Sequence, residues 1–181
     1  EKLSKSIKPL IVAGCLPKTE RQLIESLNPF ASLLGPHSID KTLDVVHSAL
    51  FGKKSIRLEN SISDKLNLPR TRINPVIGII EISSGCMGEC SFCQTKLAKG
   101  MLRSYRIGDI LRQMRSDIAD GCKEIWLSST DNGCYGKDIG SDLVKLLRSC
   151  SAVEGDYKIR VGMMNPMHLL GMIEDLVQLF V

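Results

Sequence analysis

Three cysteines, Cys86, Cys90 and Cys93, stand in one short run at C-x3-C-x2-C spacing. Thiolates are soft ligands, and a close set of them selects iron–sulfur clusters or zinc. Clusters are ordinarily held by four thiolates, so a compact set of three leaves one iron of a 4Fe–4S cluster open to a substrate or cofactor. The alternative is zinc, with a fourth ligand from elsewhere. His37, His47 and His168 are the only histidines and none lies at zinc-finger spacing, which leaves a zinc site using Cys122 or Cys134 as the form of that alternative. Seven cysteines, an odd and unevenly spread set, argue against a secreted disulfide framework and for a reducing compartment, read here as the cytoplasm.

The run must be positioned by the elements around it. An apolar strand, Val76–Ile82, leads directly into the cysteines. Ile107, Ile110, Leu111, Met114 and Ile118 then mark a helix closed by Gly121. A strand over Glu124–Ser128, a helix from Ile139 to about Leu147, a strand over Tyr157–Met164 and a helix from Leu169 to Phe180 complete three strand–helix units. Such a series makes a parallel βα array, in which ligands bind at the carboxyl ends of the strands. The cysteine run, Ser129–Gly136 and Asn165-Pro166 all follow strand ends and are expected on one face.

Upstream, Pro9–Ala13 and Ala31–Leu34 read as short strands. Pro17 suits the first turn of a helix carrying Leu23, Ile24 and Leu27. Ser38 or Asp40 is the expected cap of a second helix with Leu43, Val46 and Leu50 inward. Residues 53–75 have the composition of a linker. The expected organisation is therefore an α/β chain with boundaries at 1–52, 53–75 and 76–181. Glu1 at the start, and an amphipathic stripe at the end, lead to the expectation of a piece of a longer protein.

Of the 181 residues, 43% are hydrophobic, enough for a packed core, and no run approaches the ~18 apolar residues of a membrane span. The formal net charge of +4 is unevenly placed. Residues 53–72 carry six basic residues against Glu59 and Asp64, and residues 94–115 carry six against Asp109 alone. Two basic stretches flanking the cysteines suit a polyanionic substrate; solvated linker and helix faces are the other explanation. Tyr105 and Tyr135 are candidates for stacking on bases.

The run from Gly85 to Tyr105, with Phe92 just before the last cysteine, resembles the radical S-adenosylmethionine superfamily. Together with Lys123–Gly140 and Arg160–Pro166, it resembles the methylthiotransferase branch, closest to the archaeal and eukaryotic threonylcarbamoyladenosine tRNA methylthiotransferases. The resemblance runs from about Pro9 to the end. It implies a remnant of the amino-terminal α/β methylthiotransferase domain followed by the first half of a partial (βα) TIM-like radical barrel. It implies a 4Fe–4S cluster on Cys86, Cys90 and Cys93, S-adenosylmethionine on the open iron, tRNA as substrate and an external electron donor. The reaction would place a methylthio group on C2 of N6-threonylcarbamoyladenosine beside the anticodon.

The resemblance also assigns residues. Cys15, in Ala13–Pro17, matches the last of three ligands of a second, sulfur-donating cluster, and nothing upstream in the chain matches the first two. Phe92, Ser129, Asp131 and Asn165 are implied to line the cofactor, with Arg160 beside them. The family usually has an acidic residue where Thr130 stands, which shifts the expected contact to Asp131. Cys122, Cys134 and Cys150 fall outside the implied ligand set, and no residue is assigned a catalytic role. Two other functions fit the residues: a different radical S-adenosylmethionine enzyme, or a non-catalytic metal- and nucleic-acid-binding module.

Overall fold

A computed structural model describes residues 8–59 and 65–180. Residues 60–64, including Asp64 of the first basic stretch, and the terminal residues 1–7 and 181 lie outside the described residues. The described residues form two compact units. One holds the chain up to residue 59 together with Glu89–Gly100; the other holds Lys65–Gly88 and the chain from Met101 onward.

The first unit contains β1 (Ile11–Ala13), α1 (Leu16–Thr19), α2 (Arg21–Leu27), β2 (Ser32–Leu34), α3 (Thr42–Leu50), β3 (Ile56–Arg57) and α4 (Gln94–Lys99). Its sheet is parallel in the order β1-β2-β3, with Val12 beside Leu33 and Leu33 beside Ile56. The core is small: Ile24, Ala31 and Leu33, covered by Leu10, Val12, Ile56 and Leu58. The third strand falls inside the stretch whose composition suggested only a linker. Buried His37 bonds through Nε2 to the Lys99 carbonyl oxygen at 2.9 Å, which ties α4 to the rest of its unit.

Several expectations about this unit change. Pro17 does sit in the first turn of a helix, but Glu20 breaks that helix into α1 and α2. Of the expected stripe only Ile24 is buried, while Leu23 and Leu27 are half exposed. In α3 the inward residues are Val45 and Ala49, and Leu43 and Leu50 are exposed. Three strands of two or three residues can cover only a narrow strip of helix. The small Val45 and Ala49, one turn apart, are the side chains that let α3 lie close on that strip. Neither Ser38 nor Asp40 caps α3; a 3₁₀ turn at Ile39–Lys41 delivers the chain to Thr42 instead.

The second unit contains β4 (Ile77–Glu81), β5 (Ser83–Ser84), β6 (Arg103–Ser104), α5 (Ile107–Ala119), β7 (Glu124–Ser128), α6 (Leu143–Ser151), β8 (Lys158–Val161) and α7 (Ile173–Leu179). All pairs in the sheet β4-β7-β8 are parallel, so the chain is α/β with a helix following each strand of this sheet. The row Ile80–Leu127–Val161 faces the helices, where Ile80, Ile125 and Leu127 meet Ile110 and Met114 of α5 and Leu143, Leu146 and Cys150 of α6. The next row, Ile79–Trp126–Arg160, lies on the opposite face, and the Arg160 guanidinium stacks 4.3 Å from the Trp126 ring centroid. The expected β4 and β7 match closely. The helix expected from Ile139 starts at Leu143, because residues 136–141 close a turn (Ser141 N–H to Gly136 O, 2.8 Å) and Asp142 then caps the helix on Lys145 N–H at 2.8 Å. The last helix likewise starts late, at Ile173.

One buried carboxylate seats α5 on the sheet. Asp117 is fully buried, and its Oδ1 accepts from Arg70, from Arg72 at 2.5 Å and from Gln113 at 3.2 Å. Asp117 and Asp120 together hold the Arg72 guanidinium above its ordinary pKa. The room for Asp117 comes from Gly78 of β4, where a Cβ would stand 2.6 Å from the carboxylate. Asp117→Ala should cost about 2–4 kcal/mol in urea unfolding, because two partly buried guanidinium groups lose their counter-charge; a loss near zero would show that both arginines relax into water.

The core also sets an alkaline limit. Burial pushes the Cys150 thiol from 9.0 up to about 12. The folded chain keeps that proton where the unfolded chain has released it, so this contribution is present below pH about 9 and lost as pH rises through about 12. The slope of unfolding free energy over that window should flatten in Cys150→Ala; an unchanged slope would assign the effect to other groups.

Candidate metal and cofactor site

At the carboxyl end of β4 the chain continues its pairing, with Ile82 N–H on Ser128 O at 2.9 Å. β5 then pairs antiparallel with β6 and carries the chain into Cys86. The boundary between the two units falls inside the cysteine run, with Cys86 in the second unit and Cys90 and Cys93 in the first. Cys86 is half-buried, and Gly88 N–H points at its Sγ at 3.2 Å. Cys90 is exposed, and Cys93 is half-buried directly before α4, its N–H on the Cys90 carbonyl at 3.0 Å. Phe92 between them is 87% exposed. Cys15, also exposed, directly precedes α1, which packs beside α4 within the first unit.

The loop after β7 is built around Asp131, which is 4% exposed. Its Oδ1 accepts from Gly133 N–H at 2.9 Å and from Asn165 N–H at 3.1 Å, so one oxygen joins the loop after β7 to the loop after β8. Asn132, fully buried, strengthens the same join: its N–H donates to Met163 O at 3.0 Å and its Oδ1 accepts from Ser129 Oγ at 2.6 Å. Gly162 leaves room for that side chain, since a Cβ there would lie 2.8 Å from Asn132 Nδ2. Asn165 caps the 3₁₀ turn Pro166–His168 through Met167 N–H.

The second unit thus brings together Cys86, Ser129, Asp131 and Asn165 from the expected set. It adds Cys134, which the sequence admitted only as a ligand of the zinc alternative, and His168, which lies at no zinc-finger spacing. Cys134 is fully buried, and its Sγ, the Cys86 Sγ and an Asp131 carboxylate oxygen all lie within 4.8 Å of one another. Burial pushes the Cys134 thiol up to about 11, opposed by the Met87 N–H bonded to its sulfur. His168 faces Asp131, Nε2 to Oδ2, at 3.6 Å. No spacing rule links these positions; the nearest signal is that Asp131 and Cys134 share a loop whose partner loop ends in a histidine.

Other expectations are revised. Tyr135 is fully buried with its hydroxyl on Tyr105 O at 2.8 Å, so it belongs to the core and cannot stack on a base. Arg160 spends its guanidinium on Trp126. Cys122 is buried, with Sγ on Pro75 O, and Cys150 is buried in α6. The basic stretches are partly neutralised from within: Lys54 pairs with Glu25, Lys65 with Glu81, Arg70 and Arg72 with Asp117, and Arg112 with Asp109. Surface pairs are worth little, but they thin the positive field that a polyanion would meet.

Three hydroxyls near the strand ends are buried without a hydrogen-bond partner: Ser83 Oγ, Ser84 Oγ and Thr130 Oγ1. An unpaired buried hydroxyl costs roughly 1–3 kcal/mol, which a polar ligand at the strand ends would offset.

No family model matches the chain. Over 183 residues it is 40% identical to a probable threonylcarbamoyladenosine tRNA methylthiotransferase of Pyrococcus abyssi, an alignment covering 99% of this chain and 43% of that protein. It is 39% identical over 177 residues to the threonylcarbamoyladenosine tRNA methylthiotransferase of Drosophila melanogaster, covering 93% of this chain and 32% of that one. For the Mus musculus protein of the same name the figures are 34% over 190 residues, 99% and 32%. The chain therefore spans about a third to two-fifths of the length of these curated relatives. No helix among the described residues is long and apolar enough to cross a membrane.

The Asp131 join gives a prediction. Asp131→Ala leaves two loop N–H groups unpaired and should destabilise the chain by about 2–4 kcal/mol in urea unfolding. Asp131→Asn retains an accepting oxygen and should cost about 1 kcal/mol or less. Equal losses in the two variants would show that charge, not hydrogen bonding, holds the loops.

Proposed function

We propose that this chain is the cofactor-holding part of a tRNA methylthiotransferase of the radical S-adenosylmethionine kind, acting in the cytoplasm on N6-threonylcarbamoyladenosine beside the anticodon. One observation carries it: near 40% identity, over a span that takes in almost the whole of this chain, to threonylcarbamoyladenosine tRNA methylthiotransferases from archaea to animals. The three parallel strand–helix units of the second unit are then the beginning of a barrel, and the face carrying Ile79, Trp126 and Arg160 is its inner wall.

The residues present fit a 4Fe–4S cluster and S-adenosylmethionine. The three thiols carry no disulfide, and one already receives an N–H bond of the kind that stabilises a thiolate. The orphaned hydroxyls of Ser83, Ser84 and Thr130 at the carboxyl ends of β4 and β7 suit a polar cofactor. When bound, the cluster and S-adenosylmethionine supply the radical chemistry, with electrons from an external donor; the protein's part is placement. By their spacing along the chain, Cys86, Cys90 and Cys93 would hold the cluster. Ser129 and Asn165, on the loops that Asp131 joins, would line the cofactor, and the family resemblance implies that Phe92 would lie beside its adenine. Asp131 acts chiefly by fixing those loops, because its Oδ1 already accepts two backbone N–H groups. Cys15 would supply one ligand of a sulfur-donating cluster.

Anaerobic reconstitution with iron and sulfide should load about four irons per chain on the C-x3-C-x2-C set, with a spectrum that shifts on adding S-adenosylmethionine. Cys90→Ala should abolish both, while Cys122→Ala retains them. Tightly held zinc with no iron uptake and no spectral response would overturn the proposal.

A further inference from the structure

We propose that Cys86, Asp131 and Cys134 form a distinct site for a single thiophilic divalent ion of the zinc class, supported from behind by His168. All four residues lie in the second unit, so the site is complete without Cys90 or Cys93. The three ligand atoms already sit within 4.8 Å of one another. Around a tetrahedral ion with bonds of ~2.0–2.3 Å, ligand atoms stand roughly 3.3–3.8 Å apart, a separation that small rotations about χ1 supply. Two thiolates and one carboxylate select zinc-like ions over magnesium or calcium. Cys134 and Asp131 close the buried side, and half-buried Cys86 leaves a fourth position toward solvent.

His168 is the independent sign of a ligand here. Its side chain is 8% exposed, yet Nε2 makes no hydrogen bond and points at Asp131 Oδ2 from 3.6 Å. Lys137 Nζ lies 3.1 Å from Nδ1. An ammonium can only donate, so Nδ1 accepts and Nε2 carries the proton. That proton faces the one Asp131 oxygen not committed to backbone. A carboxylate that binds a metal through one lone pair and takes a histidine N–H on another is the usual outer support of such a site. Gly88 N–H points at the Cys86 sulfur at 3.2 Å, and the Cys134 thiol donates to the Asp131 carbonyl oxygen at 3.1 Å, a proton that a bound ion would displace.

Because the site uses Cys86, an ion here and a cluster on Cys86, Cys90 and Cys93 exclude one another; that consequence rests on the function proposed above. Zinc would then hold cluster-free protein in a form that cannot accept iron.

The test is a Co²⁺ titration of reduced, cluster-free protein under anaerobic conditions. One equivalent should bind with a thiolate-to-cobalt charge-transfer band that Zn²⁺ removes. Cys86→Ala and Cys134→Ala should lose the band, whereas Cys90→Ala and Cys93→Ala should keep it, with circular dichroism confirming the fold of each. Asp131→Asn, which retains the loop hydrogen bonds, and His168→Gln should each weaken binding by roughly 10-fold or more. No cobalt binding by the parent chain, a band that survives Cys134→Ala, or one that vanishes with Cys90→Ala would overturn the site. Zinc added first should block iron uptake in the parent chain but not in Cys134→Ala; equal uptake in both would overturn the exclusion. Iron uptake without zinc reports separately on the cluster, so failure of one proposal is distinguishable from failure of the other.

Discussion

The chemistry available to the second unit depends on one oxygen atom. Asp131 Oδ1 accepts from Gly133 and Asn165, and by doing so it makes a single platform of the loops that follow β7 and β8. Parallel strands bring their carboxyl ends to one edge of a sheet, but loops beyond those ends are free to diverge. A buried carboxylate with two backbone N–H groups on one oxygen removes that freedom. It also places the carboxylate beside Cys86 and Cys134, with its second oxygen facing His168. Ser129 and Asn165 take their positions from this join, and so does the thiol cluster.

A comparable logic seats the helix layer. Asp117 reaches over β4 because Gly78 has no side chain, and it gathers Arg70, Arg72 and Gln113 around it. Two of the residues that composition assigned to a basic, linker-like stretch are therefore internal anchors. Charge along a sequence tells where a polyanion is welcome only after internal counter-charges are subtracted. In this chain the subtraction removes four of the six basic residues of the first stretch and, in the second, Arg112, and the case for tRNA rests on the similar proteins.

Much of the second unit was legible beforehand. Apolar runs with flanking turn signals located β4 and β7, and a 3.6-residue period with a closing glycine located α5. The boundaries that slipped have local causes: a turn closed on Gly136 and an Asp142 cap delay α6, features that depend on hydrogen bonds rather than on hydrophobic period. The first unit was less legible. Its strands are two or three residues long, too short for periodicity to show which helix face they cover, so the inward choice fell on Val45 and Ala49 and not on Leu43 and Leu50.

The sequence by itself determined that three thiols stand at a spacing suited to a cluster or a metal, because residue type and spacing along one short run are properties of the chain. It also located β4, α5 and β7, because hydrophobic periodicity is local, whereas the two-residue strands β3, β5 and β6 are too short to leave a period. Only the tertiary structure decided that Tyr135 is core, that Arg160 stacks on Trp126, and that Cys86 stands beside Cys134 and Asp131. Those facts join residues far apart in the chain through burial and backbone hydrogen bonds, and contacts of that range leave no local pattern to read.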